Sequence, residues 1–235
     1  MEAIESGKQL DKVFIQRQIQ GELADELWDT MKKHNVNAQI VPPEKLDRIT
    51  RKNHQGVVAF LSPVDFHDIY HVVPALFEEG KTPLILMMDS ISDVRNFGAL
   101  VRTAECAGVH AIVIPEKGNA PVNSDSAKTS AGAIFRIPIC KVPSMKQTIK
   151  FLQSSGILTV GCTEKTSSDI YAVDFQKPMA IVMGSEDTGL SPNVMKQCDS
   201  LASIPMMGEI GSLNVSVAGG VILYESVRQR KAIDA

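Results

Sequence analysis

No apolar run in this 235-residue chain is long enough to cross a membrane. The longest, such as residues 84–88 and 111–114, are strand-sized, whereas a spanning helix needs about 20 apolar residues. The first residues, Met1-Glu2-Ala3-Ile4-Glu5, lack a cationic start followed by an apolar segment, so no secretory signal is read and a cytoplasmic setting is expected. Cys106, Cys140, Cys162 and Cys198 are scattered without a CxxC pair, which argues against a zinc site and suits buried, reduced thiols. His67 and His71 stand four apart and could share a helix face, but no carboxylate or Cys motif completes a ligand set, so no metal is expected. Charge of one sign is lacking too. The net charge of −3 gives no support to a general nucleic-acid binder, and residues 79–142, with 7 basic and 6 acidic side chains, are the least acidic stretch. An RNA partner would have to be held by local basic clusters.

What is present is a 44% hydrophobic, 22% charged composition, ordinary for a globular protein of one large domain or two unequal ones. Residues 1–78 read as a small α/β unit, with strands at 13–15, 38–41 and 57–61. Its helices are expected at 22–33 and 44–49, and at 65–79 with Pro74 inside. Residues 79–83 look like a linker. From 84 to 235 the pattern alternates. Strands are expected at 84–88, 111–114, 134–139, 158–160, 180–183 and 202–204, and helices at 96–107, 144–154, 191–198 and 215–230. Continuous apolar strands between helices predict a parallel sheet covered on both faces, which binds ligands beyond the carboxyl ends of its strands.

Three unusual segments fall at those ends. The first runs from Asp89 into a helix through Asn96, read as its N-cap, with Gly98 and Arg102 four apart on one face. A helix-interior glycine costs about 1 kcal/mol relative to alanine, so something needs the space, and a guanidinium beside it suits a phosphate or sugar edge. Taken alone, though, the segment reads better as capping, backbone packing and a surface arginine. The second, Gly184-Ser185-Glu186-Asp187-Thr188-Gly189, leads into a helix with Ser191 as N-cap and Pro192 at its first position. It matches neither a dinucleotide fingerprint nor a P-loop, and its two acids would repel phosphate. An ordinary turn would not ask for Gly184, Glu186 and Gly189 together, which favours a site. The third, from Ile204-Pro205-Met206 to Ser212-Leu213-Asn214, is a glycine-bearing loop capped into a helix by Asn214 or Ser212. Its sequel, Val217-Ala218-Gly219-Gly220-Val221, allows close helix packing.

In this order and spacing the segments resemble the SpoU family of knotted SPOUT methyltransferases. The family's first motif is matched by Asn96, Gly98 and Arg102, and its second by Gly184-Ser185-Glu186 with Gly189-Leu190. The third is matched by Ile204-Pro205-Met206 and by Ser212 through Ala218; Ser130-Ala131-Gly132-Ala133 is also similar. The family often has proline where this chain has Val94. The N-terminal part, above all His54-Gln55-Gly56-Val57, resembles the substrate-binding domain of the rRNA guanosine 2′-O-methyltransferase branch, which is related to a ribosomal-protein fold.

The resemblance implies an α/β, parallel-sheet SPOUT domain with a C-terminal trefoil knot, preceded by that small α/β substrate-binding domain. It implies S-adenosyl-L-methionine as cofactor, in a pocket lined by Gly184, Ile204, Met206, Ser212 and Leu213. The implied reaction is methylation of a ribose 2′-hydroxyl in RNA, rRNA ahead of tRNA, by a homodimer. Arg102 is the implied key residue. A guanidinium is a poor literal base, so gripping the adjacent phosphate and stabilising developing negative charge suits it better. Asn96 would orient Arg102 or the ribose, and Glu186 and Asn214 would complete the polar shell. A non-catalytic RNA-binding module on the same fold is the competing reading. A nucleotide-dependent oxidoreductase or kinase fails for want of a glycine fingerprint after the first strand.

Overall fold

In a computed structural model the described residues are 1–5 and 10–231. They form two compact units, Met1–Asp65 with Pro121–Ser124, and Phe66–Ala120 with Asp125–Ala235. The seam at Phe66 precedes the linker expected at 79–83, because the helix ahead of that linker packs within the second unit.

The first unit runs α1 (Glu2–Glu5), β1 (Leu10–Gln16), α2 (Glu22–Lys33), β2 (Gln39–Val41), α3 (Pro43–Ile49) and β3 (Val57–Leu61). Its sheet has the order β2-β1-β3, with β2 parallel and β3 antiparallel to β1. Alternation along β1 sends Val13 and Ile15 to one face, where they meet Leu27 and Met31 of α2. Phe14 goes to the other face and packs with Val41 and with Leu46 of α3. Acidic residues in the first turn of α2 and Lys32 and Lys33 in its last complement the helix dipole. Pro43 opens α3, where its missing N–H costs nothing.

The second unit continues with β4 (Phe66–His67), α4 (Ile69–Glu78), β5 (Leu84–Asp89), α5 (Val94–Cys106), β6 (Ala111–Pro115) and α6 (Ser124–Thr129). Then follow β7 (Ile139–Val142), α7 (Met145–Ser154), β8 (Leu158–Cys162), β9 (Met179–Gly184), α8 (Pro192–Met195), β10 (Ser200–Ala202) and α9 (Val215–Lys231). Seven strands form one sheet in the order β10-β8-β9-β5-β6-β7-β4, every pairing parallel. The central strands β5 and β9 are buried at every residue, as a sheet covered on both faces requires. From β7 the chain crosses to the far side of β5, lays down β8 and then inserts β9 beside β5. That reversal of direction sets the ligand-binding edge of such sheets.

Several expectations are corrected. The helix expected over 65–79 begins at Ile69, capped by Asp68, and His67 lies in β4 beside Cys140. His67 and His71 therefore share no helix face. Among the described residues, no group of three His, Cys, Asp or Glu could hold a metal. The strand expected over 134–139 is a 3-10 turn, Ala133–Phe135, and β7 starts only at Ile139. Ala131 and Gly132, at φ +50° and +81°, turn the chain, and Pro138 brings no N–H to the ladder. The helix expected over 191–198 shortens to Pro192–Met195, and the strand expected over 202–204 ends at Ala202, ahead of Pro205.

The far end of α9 is pinned by Arg230, which donates to the carbonyls of Phe175 (2.9 Å), Thr82 (2.8 Å), Pro83 (3.2 Å) and Lys177 (3.0 Å). These segments enter β5 and β9. Gly219 lets α9 lie close on α5, since a Cβ there would strike Leu100.

Candidate active site

Asn96 is not the N-cap of α5. Asp93 is, accepting from the backbone N–H of Arg95 (2.9 Å) and of Asn96 (2.8 Å). Carboxylate and amide side chains cap comparably well, and the one placed three residues earlier takes the role. Val94, where the family often has proline, is the first helical residue, so proline would only have stiffened the entry. The side chain of Asn96 is thereby released for longer-range bonds.

Those bonds join the three segments. Asn96 Nδ2 donates to Glu186 Oε2 (2.7 Å), and Asn214 Nδ2 donates to Glu186 Oε1 (2.9 Å) and to Asn96 Oδ1 (3.1 Å). Asn214 also caps α9, its Oδ1 accepting from the backbone N–H of Ser216 (2.9 Å) and from the Ser216 hydroxyl (2.6 Å). One asparagine thus starts a helix with its oxygen and binds Glu186 with its nitrogen.

Glu186 is presented by a closed turn after β9. Ser185 and Gly189 exchange backbone hydrogen bonds (3.1 and 2.9 Å), and the Ser185 and Thr188 hydroxyls are 2.7 Å apart. Gly189 takes φ +69°, and a Cβ on Gly184 would collide with the Gly189–Leu190 backbone. Behind the turn, buried Asp89 at the end of β5 accepts from the Ser191 N–H (2.8 Å).

Beside this set lies a cleft of about 900 Å³ beyond the carboxyl ends of β8, β9 and β10. All five residues expected around a cofactor line it: Gly184, Ile204, Met206, Ser212 and Leu213, with Glu186 and Asn214 among the rest of the lining. The residues after β8, Thr163, Glu164 and Lys165, also line it and were missed by sequence reasoning. Their signal was the position of their strand beside β9, which shows only once the strand order is known. Charged lining residues are Glu164, Lys165, Glu186 and Asp187, a balance that suits a cation better than a phosphate. Cys162 lines the cleft as an inert neutral thiol, burial pushing its pKa up to about 12.

Arg102 is the expected residue that the chain does not bring to this cleft. It stands exposed on α5. Six residues beyond Asn96, it lies about 9 Å along the axis and about 120° around it, so it points elsewhere while Asn96 faces Glu186. The space cleared by Gly98 also has another use. A Cβ there would collide with Thr129, whose hydroxyl donates to the carbonyls of Asp125 (2.9 Å) and Val94 (3.1 Å). Gly98 seats α6 against α5 and leaves no room for a ligand.

Fold and cleft together define an α/β enzyme that takes a small ligand at the switch point of a parallel sheet. Residues 83–224 match the model of the SpoU rRNA Methylase family, and residues 1–67 match the model described as RNA 2'-O ribose methyltransferase substrate binding. A protein of Staphylococcus saprophyticus named for the TrmH family of tRNA/rRNA methyltransferases is 34% identical over 232 residues, covering 99% of this chain and 93% of its own. Its counterpart YacO of Bacillus subtilis is 33% identical, covering 99% and 94%. Among solved structures, the SpoU methyltransferase AviRb from Streptomyces viridochromogenes in complex with AdoMet aligns with a TM-score of 0.65 at 27% identity, covering 98% of this chain and 87% of that one. The chain belongs to the SpoU family of RNA 2′-O-ribose methyltransferases.

Proposed function

We propose that the chain transfers the methyl group of S-adenosylmethionine to a ribose 2′-hydroxyl of ribosomal RNA, acting as a homodimer. The observation that carries this is the hydrogen-bonded set Asn96–Glu186–Asn214 beside a cleft lined by Gly184, Ile204, Met206, Ser212 and Leu213. The lining fits the cofactor. Ile204, Met206 and Leu213 offer apolar contact to an adenine, the Ser212 hydroxyl a bond to a ribose, and the acidic balance an environment for a sulfonium. When bound, the cofactor supplies an electrophilic methyl group. The trefoil knot implied by the family resemblance is part of this reading.

The chain's own residues then hold the nucleophile and support its charge. Alignment of a ribose oxygen with a methyl carbon supplies much of the barrier reduction. Glu186, fixed by two amide donors, has its orientation set in advance. Arg102 grips the RNA phosphate next to the target ribose and stabilises the oxygen's developing negative charge, while the hydroxyl proton passes to bulk water. Because it is exposed and turned away from the cleft of its own chain, we place it at the cleft of the partner copy. Exposed Leu213 and, on α9, Val217 and Tyr224, 52% and 54% exposed, offer apolar surface for that partner.

Ribosomal RNA is favoured over tRNA by the first unit and its His54-Gln55-Gly56 turn, in which Gln55 takes φ +48° and the Gly56 N–H donates to His54 Nδ1 (3.0 Å). Incubation with tritiated S-adenosylmethionine and either unmodified rRNA or tRNA tests the reading. Label in rRNA at a linkage resistant to alkaline cleavage is the expected result; label confined to tRNA, or to a base, overturns it.

A further inference from the structure

The first unit separates its charge between the two faces of its sheet. The α2 face carries Glu22, Asp25, Glu26 and Asp29 against Lys32 and Lys33. On the other side, Lys12 lies on the Phe14 face of β1, and Lys45 and Arg48 stand on α3. Arg51 and Lys52 follow in the connection to β3, while the acids there are Glu44 and Asp47. Asp47 is itself engaged by the His54 ring (3.1 Å). A chain of net charge −3 thus presents one locally basic face.

That face also carries aromatic surface. The hydrophobic cluster under α3 takes in Phe14, Val41, Leu46 and Val58 but leaves Phe60 of β3 36% exposed. Phe60 sits directly across from Lys12 in the β1–β3 register. Its ring meets the Phe14 ring edge to face, with centroids 6.1 Å apart, and the Lys45 ammonium lies 5.0 Å over the Phe14 ring. Phe60 is therefore a half-open ring on a rigid strand, braced from behind by an aromatic partner, with Lys12 across from it and Lys45 over that partner. Proteins bind unpaired bases with this combination: an aromatic face to stack on, and cations spaced for the phosphates either side.

We infer that this face is a docking platform for single-stranded RNA, with an unpaired base stacked on Phe60 and the flanking phosphates held by Lys12 and Lys45. The inference rests on the reading of the chain as an RNA-modifying enzyme and adds where, and in what form, RNA meets the first unit. The platform selects single-stranded or looped RNA, because a paired base has no free face to offer.

The test uses the full chain and a short fluorescein-labelled single-stranded RNA of mixed sequence, read by anisotropy across a salt series. Phe60→Leu, which keeps apolar bulk without a ring, should weaken binding about tenfold or more, and Phe60→Tyr should restore it. Lys45→Ala should lower the slope of log affinity against log salt by about 0.7. Phe60→Leu binding RNA as wild type overturns the platform. So does a change in sedimentation with Phe60→Leu, which would make the face a contact between copies of the chain. Cofactor binding and methyl transfer by the wild type are measured alongside. If both are sound while Phe60→Leu is neutral, the platform alone fails; if the wild type neither binds the cofactor nor transfers methyl, the functional reading fails first.

Discussion

Mixing two inactive variants tests on which subunit Arg102 acts. Arg102→Ala removes the guanidinium and leaves the cleft intact, because the side chain is exposed and lies outside the lining. Loss of one preorganised charge-stabilising donor costs about a hundred- to a thousand-fold in turnover, and cofactor affinity should hardly change. Ser212→Arg does the opposite: it puts a bulky charge into the cleft from an exposed position, where the fold tolerates it. Each homodimer should be nearly inactive. When the two are co-refolded in equal amounts, half of the dimers are mixed. If Arg102 serves the partner's cleft, each mixed dimer has one complete site, and activity recovers to about a quarter of wild type in a symmetric two-site dimer. If Arg102 serves its own cleft, each subunit in the mixed dimer keeps one defect and nothing recovers. The assay is methyl transfer from tritiated cofactor to rRNA, with calorimetry to confirm that Arg102→Ala still binds cofactor. Absence of recovery, with mixed dimers demonstrated, would refute the assignment across the interface; a comparable loss of cofactor affinity in Arg102→Ala would make that residue structural.

Other consequences are more local. Asn96→Ala strips one donor from Glu186 while Asp93 still caps α5, so turnover should fall about tenfold or more at near-constant cofactor affinity and melting temperature; an equal loss of affinity would place Asn96 in the cofactor pocket. Gly98→Ala drives a methyl into Thr129 and should cost about 1–3 kcal/mol of stability, read by thermal denaturation. Buried Glu225 accepts from Arg228 Nε and Nη2 (both 2.8 Å) and from Gln229 Nε2 (2.7 Å), and the Arg228 bonds hold its pKa down at about 2. A depressed folded-state pKa gives stability that is present above the ordinary carboxylate value and lost as pH falls from about 4.5 toward 2. Glu225→Gln should therefore flatten the melting temperature across that window, and an unchanged slope would refute the assignment. Burial pushes Cys140, Cys162 and Cys198 up to about 12, so iodoacetamide at mildly alkaline pH should modify them only after denaturant is added.

The sheet was legible where burial is continuous. β5 and β9 are apolar at nearly every position because both of their faces are covered, and no helix among the described residues has that pattern. Errors fall where a single polar or proline residue decides a boundary. Asp93 outcompetes Asn96 for the cap, Pro138 delays β7, and Pro205 keeps β10 from running past Ala202, two positions earlier than expected. Strand β4 could not be read at all: Phe66-His67 becomes a strand only by pairing with Ile139 and Cys140, far along the chain. Strand order was equally hidden, and with it the contribution of Thr163, Glu164 and Lys165 to the cleft.

The glycines play a different part from the one their sequence context suggested. Gly98 suggested space cleared for a ligand, and Gly184 a turn built for a site. The structure fills the space at both, and the one at Gly219, with protein: Thr129 at Gly98, the Gly189–Leu190 backbone at Gly184, and Leu100 at Gly219. Each close approach lies one step behind the chemistry. Gly98 locks α6 onto the helix that carries Asn96; Gly184 closes the turn that aims Glu186; Gly219 seats the helix whose first turn Asn214 caps. Three side chains separated by as many as 118 positions meet at 2.7–3.1 Å because three backbone segments behind them can approach more closely than any Cβ would allow. Polar convergence on this scale needs rigid supports, since a loosely held carboxylate between two amides would spend its time hydrated. Missing side chains beside this cleft therefore mark where the scaffold is tightest, and the polar groups that converge there are those the tight scaffold releases, as Asp93 releases Asn96.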